Sequence, residues 1–355
     1  MSPAQAPAAP PTRLGHALVA LLYLAIALWA YRAVLPSPGT LVAMPAAMVG
    51  KPPATLYQGD QRFVVGALAR QADQVLHDPA GLAGHGLCYP LRASYTLGEH
   101  MFGETLLELP AYAATGDPVL SYNVMVVLSV WIGAIAMYAF ALHWTRSAPA
   151  ALIAGLLFAF HPGKVVNPAH PFVHGNLWTP LALLFAHRLV VTTRWRDALG
   201  LALFVCLQLL ESFYQVLALA VLGSVYGSYL LLRHRGALPA LLPKLLVVAV
   251  LAAAVTWLVF APYLETRAVW NVLQGRARTL LFSPRDYLPG WAASVGTVSL
   301  VLAAAGLADR LRGARRTAGV DPRLVMLVAG LLVFWCTLQP FRLPWLGVRL
   351  ESPLV

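Results

Sequence analysis

Residues able to accept or donate a proton cluster between positions 60 and 104. Asp60 stands before an amphipathic segment, where a helix N-cap is expected, and could serve there as a general base or a metal ligand. Farther on, Glu99, His100 and Glu104 lie close together. On one helix His100 and Glu104 would point the same way, and such a pair could exchange protons or form part of a metal site. A capping aspartate and a solvated loop helix are the plainer interpretations of these residues.

A second group of residues carries positive charge. Lys164, His170 and His174 fall in one short hydrophilic stretch between two apolar runs. Such a cluster suits an anionic head group, because Lys and His donate well to phosphate. The last long hydrophilic stretch contains Arg276 and Arg278, which could bind a phosphate bidentately. Both sets could instead anchor the chain among lipid head groups.

Glu211 lies between two apolar runs. A carboxylate at or inside a membrane is costly, so such residues are functional candidates by default. If the turn around Glu211 reaches the aqueous surface, that cost disappears and the argument for function weakens.

The composition indicates a protein whose solvent is largely lipid. Of 355 residues, 59% are hydrophobic and 11% are charged, and the mean hydropathy is +0.69. Soluble domains carry roughly 25% charged residues. The three cysteines, Cys88, Cys206 and Cys336, lack metal-type spacing and are interpreted as small apolar fillers. No phosphate-binding glycine loop, dinucleotide fingerprint or nucleophile elbow is present in the sequence, which argues against a nucleotide-driven pump.

The apolar runs predict an all-α, polytopic integral membrane protein with about nine transmembrane helices. A helix needs about 20 apolar residues to cross a bilayer. The predicted spans cover residues 14–35, 119–143, 148–161, 174–191, 197–211, 213–232, 241–262, 291–308 and 323–340. The third and fifth are short, so they could be tilted or re-entrant. The first is expected to be an uncleaved signal anchor, and the Pro/Ala-rich residues 1–13 before it a disordered cytoplasmic tail.

The basic residues set the predicted orientation. Arg13, Arg146, Arg194 and Arg233 all fall on one side when nine spans alternate, which makes the N-terminus of this cell-membrane protein cytoplasmic. The same bias explains the net charge of +11 without a nucleic-acid partner. The predicted external loops are residues 36–118, 161–174 and 264–290. The first is so long that it is expected to fold, with Phe63, Val64, Ala67, Leu68, Gln71 and Val75 on one helix face.

Several short motifs recur in the order and layout of a known class of membrane enzymes. They are Gly59-Asp60; Tyr89-Pro90, Glu99-His100, Gly103 and Pro110; Gly116-Asp117-Pro118-Val119 and Tyr122-Asn123; Ala154-Gly155-Leu156, Phe158-Ala159-Phe160-His161-Pro162, His170 and Trp178-Thr179-Pro180-Leu181; and Ser212-Phe213-Tyr214. Over roughly residues 14–290 the chain resembles the GT-C class of membrane glycosyltransferases, particularly its bacterial relatives.

The resemblance implies that residues 14–355 form a GT-C-like transmembrane domain. It implies transfer of a sugar from a polyprenyl-phosphate donor to a glycan, lipid or protein acceptor at the external face, with a divalent metal ion as a possible cofactor. Asp60 matches the catalytic base of the class, and Glu99 and His100 are further catalytic candidates. Lys164, His170 and Arg278 are the counterparts of residues that bind the lipid phosphate.

The sequence departs from that class in two respects. Many members carry paired acidic residues after the first span, whereas Asp60 is followed by Gln61. The chain also stops at Val355, where relatives usually continue, which is expected either of a C-terminally truncated fragment or of a homologue that has lost part of its site.

Two other functions remain open from the sequence. A transporter or flippase of a lipid-linked or anionic substrate predicts paired or buried ionisable residues within spans. A non-catalytic, lipid-binding membrane scaffold predicts that Asp60, Glu99 and His170 lie far apart, whereas the enzyme predicts that they converge on one external cavity.

Overall fold

The computed structural model describes residues 12–44, 55–83, 93–165, 168–270, 322–336, 341–343 and 348–350, together with positions 301, 306 and 308. Its helices are α1 Arg13–Ala30, α2 Thr55–His77, α3 Phe102–Thr115, α4 Pro118–Thr145, α5 Ala148–Ala159, α6 Pro162–Val165, α7 Thr179–Thr192, α8 Trp195–Glu211, α9 Phe213–Arg233, α10 Leu238–Trp270 and α11 Pro322–Cys336. Short 3₁₀ turns cover Arg32–Val34, Pro79–Ala83, Ser94–Leu97, Pro171–His174 and Arg235–Ala237. Strands β1 Phe341–Leu343 and β2 Val348–Leu350 form an antiparallel pair.

Four helical segments are long and apolar enough to cross a membrane: Arg13–Ala30, Pro118–Thr145, Phe213–Arg233 and Arg235–Thr266. The predicted helical membrane class is confirmed to this extent. The predicted spans 148–161, 174–191, 197–211 and 323–340 correspond to shorter helices, α5, α7, α8 and α11, of 12, 14, 17 and 15 residues. The predicted span 291–308 lies largely outside the described residues.

Local sequence signals explain where the long helix α4 begins and ends. Asp117 caps its N-terminus, since Oδ1 accepts hydrogen bonds from the amides of Val119 at 2.9 Å and Leu120 at 3.0 Å. Pro118 occupies the first turn, where its missing N–H is not needed. At the other end Arg146 adopts a left-handed backbone with φ 53°, which stops the helix.

The described helices pack around two apolar cores. The first core joins α1, α2, α4 and α5 around Tyr23 and Tyr122, and the second joins α7, α8, α9 and α10 around Leu189 and Tyr226. Helix α3 packs against α2, α4 and α8. This position carries the acidic residues of α3 into the protein interior.

Helices α2 and α3 lie within residues 36–118, the segment that is predicted to fold. Asp60 is not an N-cap, because α2 begins at Thr55 and Asp60 falls in its second turn. The residues before Asp60 also form helix, and the helix start is therefore one turn earlier than predicted. The predicted apolar face is largely confirmed. Val64, Ala67, Leu68 and Gln71 are buried and Val75 is partly buried, whereas Phe63 is 54% exposed. Gln61, Val65 and Ala72 widen the buried stripe of α2.

Candidate functional site

Asp60 and His170 meet although 110 residues separate them in the sequence. The distance from His170 Nε2 to Asp60 Oδ2 is 3.3 Å. The aspartate side chain is 59% exposed and the histidine side chain 25% exposed. This is an accessible carboxylate beside an imidazole, an arrangement that can accept a proton from a bound hydroxyl group.

Hydrogen bonds fix the segment that carries His170. The hydroxyl of Tyr122 donates to the carbonyl of Pro168, and Ser212 Oγ donates to the carbonyl of Phe172 at 2.6 Å. Gln208 Nε2 donates to the carbonyl of Gly175. The segment is thus tied to α4 on one side and to the α8–α9 junction on the other.

Beneath this segment, two buried carboxyl groups face each other. Glu104 lies in the first turn of α3 and Glu211 is the last residue of α8, and each is 1% exposed. Trp178 Nε1 donates to Glu211 Oε1 at 2.8 Å. Within the described part of the chain, no group donates a hydrogen bond to Glu211 Oε2 or to either carboxylate oxygen of Glu104.

Two glycines make room for this pair. A Cβ on Gly175 would lie 3.0 Å from Glu211 Oε2 and 3.1 Å from Glu104 Oε1, so the two oxygens border the same small space. A Cβ on Gly103 would lie 2.7 Å from the Glu211 carboxyl carbon, closer than non-bonded carbons approach. Larger residues at these positions would push Glu211 away from α3.

Lys164 completes the charged lining of a cavity of about 20 Å³, large enough for one water molecule. Lys164 Nζ donates to Asn176 Oδ1 at 3.2 Å, and the residue is 6% exposed. Burial lowers the pKa of Lys164 to about 8, although the Glu211 carboxylate opposes that shift. The cavity is lined by Tyr31, Glu104, Val126, Ser129, Val130, Lys164, Pro168, Pro171, Gly175, Leu177 and Glu211. His170 falls between two of these residues in the sequence.

Glu99 and His100 join α3 to the α8–α9 junction. Glu99 Oε2 accepts a hydrogen bond from the amide of Phe213 at 2.9 Å. Burial raises the pKa of Glu99 to about 7, and the Phe213 amide opposes this. The fully buried His100 bonds through Nε2 to the carbonyl of Leu209 at 3.0 Å, and burial lowers its pKa to about 4. A neutral, enclosed imidazole of this kind positions neighbouring elements.

The predicted shared face of His100 and Glu104 is wrong. Met101 adopts a left-handed backbone with φ 50°, and α3 begins only at Phe102. His100 therefore lies outside the helix, and its ring contacts Phe213 with centroids 4.8 Å apart. The residue that lies one turn from Glu104 on the same side of α3 is Glu108, and it is fully buried as well.

The remaining predicted site residues are placed only in part. His174 ends the 3₁₀ turn Pro171–His174, and its side chain lies outside the described residues. Arg276 and Arg278 also lie outside them. Across the described ranges, no three or more His, Cys, Asp or Glu side chains are grouped as metal ligands would be.

Sequence reasoning passed over the acidic pair itself and the groups around it. The sequence pattern pairs Glu104 with His100 and does not indicate Glu108, Asn176 and Trp178 as members of a site. The available signal was the sequence Gly-Glu-Thr-Leu-Leu-Glu, which places two acids one helical turn apart in an otherwise apolar segment. Their partners come from α6 to α8 and could not be identified without the fold.

No protein-family model, curated protein or solved structure matches the chain. The function is therefore argued from the site alone.

Proposed function

We propose that the chain is a membrane glycosyltransferase that moves a sugar from a polyprenyl-phosphate donor to an acceptor hydroxyl at the external membrane face. The observation that carries the proposal is the contact between the exposed carboxylate of Asp60 and the imidazole of His170. The segment that carries His170 also contributes Pro168 and Pro171 to the lining of the cavity that Lys164 borders. A non-catalytic scaffold predicted that Asp60, Glu99 and His170 lie far apart. The contact of Asp60 with His170 argues against that alternative, whereas Glu99 bonds to the amide of Phe213 and is not part of this contact.

In the proposed reaction the acceptor oxygen attacks the anomeric carbon of the donor sugar with inversion. Asp60 takes the hydroxyl proton, and His170 orients the carboxylate. The new carbon–oxygen bond forms as the bond from the anomeric carbon to the phosphate oxygen breaks, and that electron pair stays on the lipid phosphate. Fixed cations stabilise the negative charge that develops there. Lys164 is the described candidate, and His174, Arg276 and Arg278 complete the proposed phosphate-binding set.

The proposed topology has nine spans, a cytoplasmic N-terminus and the folded residues 36–118 outside, in the cell membrane. Its support is the agreement of eight predicted spans with helices of the structure. Exposed apolar side chains on the longest helix, among them Leu246, Trp257 and Leu258, suit contact with lipid. Basic residues at the connections after α4, α7 and α9 suit the cytoplasmic side.

The test is sugar transfer by the purified protein in lipid nanodiscs with radiolabelled polyprenyl-phosphate sugars. Asp60→Asn should lower the transfer rate by about 10²–10⁴-fold, the usual contribution of a general base. Asp73→Asn is the matched control, because Asp73 lies on the same helix and also contacts a histidine, His77, at 3.1 Å. Its rate should stay near that of the wild type. Equal rates in wild type and Asp60→Asn would exclude Asp60 as the base.

A second candidate is a transporter or flippase of a lipid-linked or anionic substrate. It is favoured by the buried ionisable groups Glu104, Lys164 and Glu211, because such groups commonly mark ion and proton pathways in membrane proteins. The two functions differ in the fate of the donor. A transferase breaks the bond between sugar and phosphate, whereas a transporter delivers the donor intact.

A further inference from the structure

The charges around the cavity do not balance. Two carboxyl groups, Glu104 and Glu211, and one ammonium group, Lys164, line it, and all three residues are buried. With every group ionised the cavity would hold one excess negative charge. An uncompensated buried charge is so costly that a group in this position binds a proton or a counter-ion instead.

We propose that Glu104 and Glu211 bind one shared proton, so that the cavity is a buried, exchangeable proton-binding site. The proposal concerns the ligand of this site and holds whether the chain transfers sugars or transports lipids.

The hydrogen-bond pattern requires such a proton. Two ionised carboxylates have only acceptors, which is why Glu104 has no donor among the described groups. A single proton converts the pair into a donor and an acceptor, and Glu104 Oε1 and Glu211 Oε2 border the same small space beside Gly175. The proton should rest mainly on Glu104, because Trp178 Nε1 donates a hydrogen bond to Glu211 Oε1 and thereby favours the ionised form of Glu211.

The electrostatic environment agrees with this placement. Burial raises the pKa of Glu104 well above its usual range, and the neighbouring charges of Glu211 and Glu99 raise it further. Lys164 is the cation that faces the pair from α6, and His100 on the preceding loop is neutral near pH 7. The charges from all neighbouring elements therefore leave Glu104 as the preferred proton carrier.

A metal ion fits the same space poorly. The cavity of about 20 Å³ holds one water molecule, and the ammonium of Lys164 lines it. A metal cation there would be repelled by Lys164, and only two carboxylates would bind it. Oxygen-bound divalent ions take six or more ligands. A proton needs only the two facing oxygens.

Infrared spectroscopy of the whole protein in lipid tests the proposal. The wild type should show the carbonyl stretch of a protonated carboxyl group that disappears in Glu104→Gln. The matched variant Glu108→Gln identifies the band of Glu108, so that this band is not assigned to Glu104. In Glu211→Gln the Glu104 band should titrate about 1–3 pH units lower, because the adjacent negative charge is gone. In Lys164→Met it should titrate higher, because a positive charge is gone.

Each alternative outcome is distinct and is independent of transferase activity. A wild-type spectrum without a Glu104-dependent band at neutral pH would mean that both carboxyls are ionised, and would overturn the proposal. Loss of the band on adding NaCl, KCl or MgCl₂ at constant pH would make a metal cation the ligand. An unchanged titration in Glu211→Gln would rule out sharing. The pH titration of the carbonyl band in the wild type, and the shift of that band in D₂O, need no variant. A variant that fails to fold therefore does not block the test.

Discussion

Replacing Glu108 by glutamine should make the protein more resistant to unfolding at alkaline pH. Glu108 is fully buried in α3, and neither of its carboxylate oxygens has a hydrogen-bond partner among the described residues. Burial raises its pKa from 4.5 to about 8. Glutamine has nearly the same shape and no charge, so the substitution removes the titration while it preserves the packing.

The size of the effect follows from proton linkage. Below about pH 4.5 Glu108 is protonated in both the folded and unfolded states, and it causes no pH dependence. Between 4.5 and about 8 the unfolded state loses the proton while the folded state keeps it, so the free energy of unfolding falls as pH rises. At about 1.36 kcal/mol per pH unit the total loss approaches about 5 kcal/mol. Relaxation of the surroundings reduces this, and we expect about 2–5 kcal/mol.

The assay is thermal unfolding of wild type and Glu108→Gln in detergent, across a series from about pH 5 to about pH 9. The two curves should nearly coincide at the acidic end and separate steadily above it, with the variant more stable. Glu265→Gln is the control, because it makes the same chemical change at an exposed position and alters no buried group. Parallel curves for wild type and Glu108→Gln at every pH would refute the reasoning that Glu108 is buried and protonated.

Three further substitutions test the packing around the site. Gly103→Ala should destabilise the protein by about 1–3 kcal/mol, because the new Cβ would overlap Glu211. The control is Gly66→Ala in α2, which meets no atom within 4 Å and should be neutral or stabilising. Thermal unfolding compares the two variants. Asn123→Ala should cost about 1–3 kcal/mol, because it leaves the buried amide of Ala43 without its acceptor and also removes the bonds to the part-buried carbonyls of Pro38 and Leu41. Faster amide exchange at Ala43 checks this prediction. Asp197→Asn should lower the free energy of unfolding by about 3–5 kcal/mol, because the buried carboxylate accepts hydrogen bonds from Arg188 at 2.9 Å and Thr192 at 2.6 Å. Wild type and variant unfolding at the same denaturant concentration would contradict this prediction.

Features encoded by neighbouring residues could be predicted from the sequence. Long apolar runs locate α1, α4, α9 and α10, because a helix in lipid needs an uninterrupted apolar length. The short runs predicted for α5 and α7 also coincide with helices. The count of nine spans and their orientation stay predictions, as does the role of each site residue.

Features that depend on tertiary packing could not be predicted. Nothing near Asp60 indicates that His170 is its neighbour, because α2 and the segment before α7 meet only in the folded chain. The pairing of Glu104 with Glu211 depends on α3 packing against α8 and on the absence of a side chain at Gly175. The spacing of His100 and Glu104 would place them on one face if both were helical, but the left-handed Met101 lies between them and α3 begins only after it.

The fate of a doubly labelled donor tests the proposed function most directly. The protein is reconstituted in sealed vesicles with a polyprenyl-phosphate sugar that carries one label in the sugar and another in the lipid, together with candidate acceptors. The account predicts that the two labels separate, with sugar in the acceptor and lipid phosphate released, and that Asp60→Asn prevents this while Asp73→Asn does not. Transfer of intact donor across the bilayer, with both labels still joined and no dependence on Asp60, would contradict the account and identify a transporter.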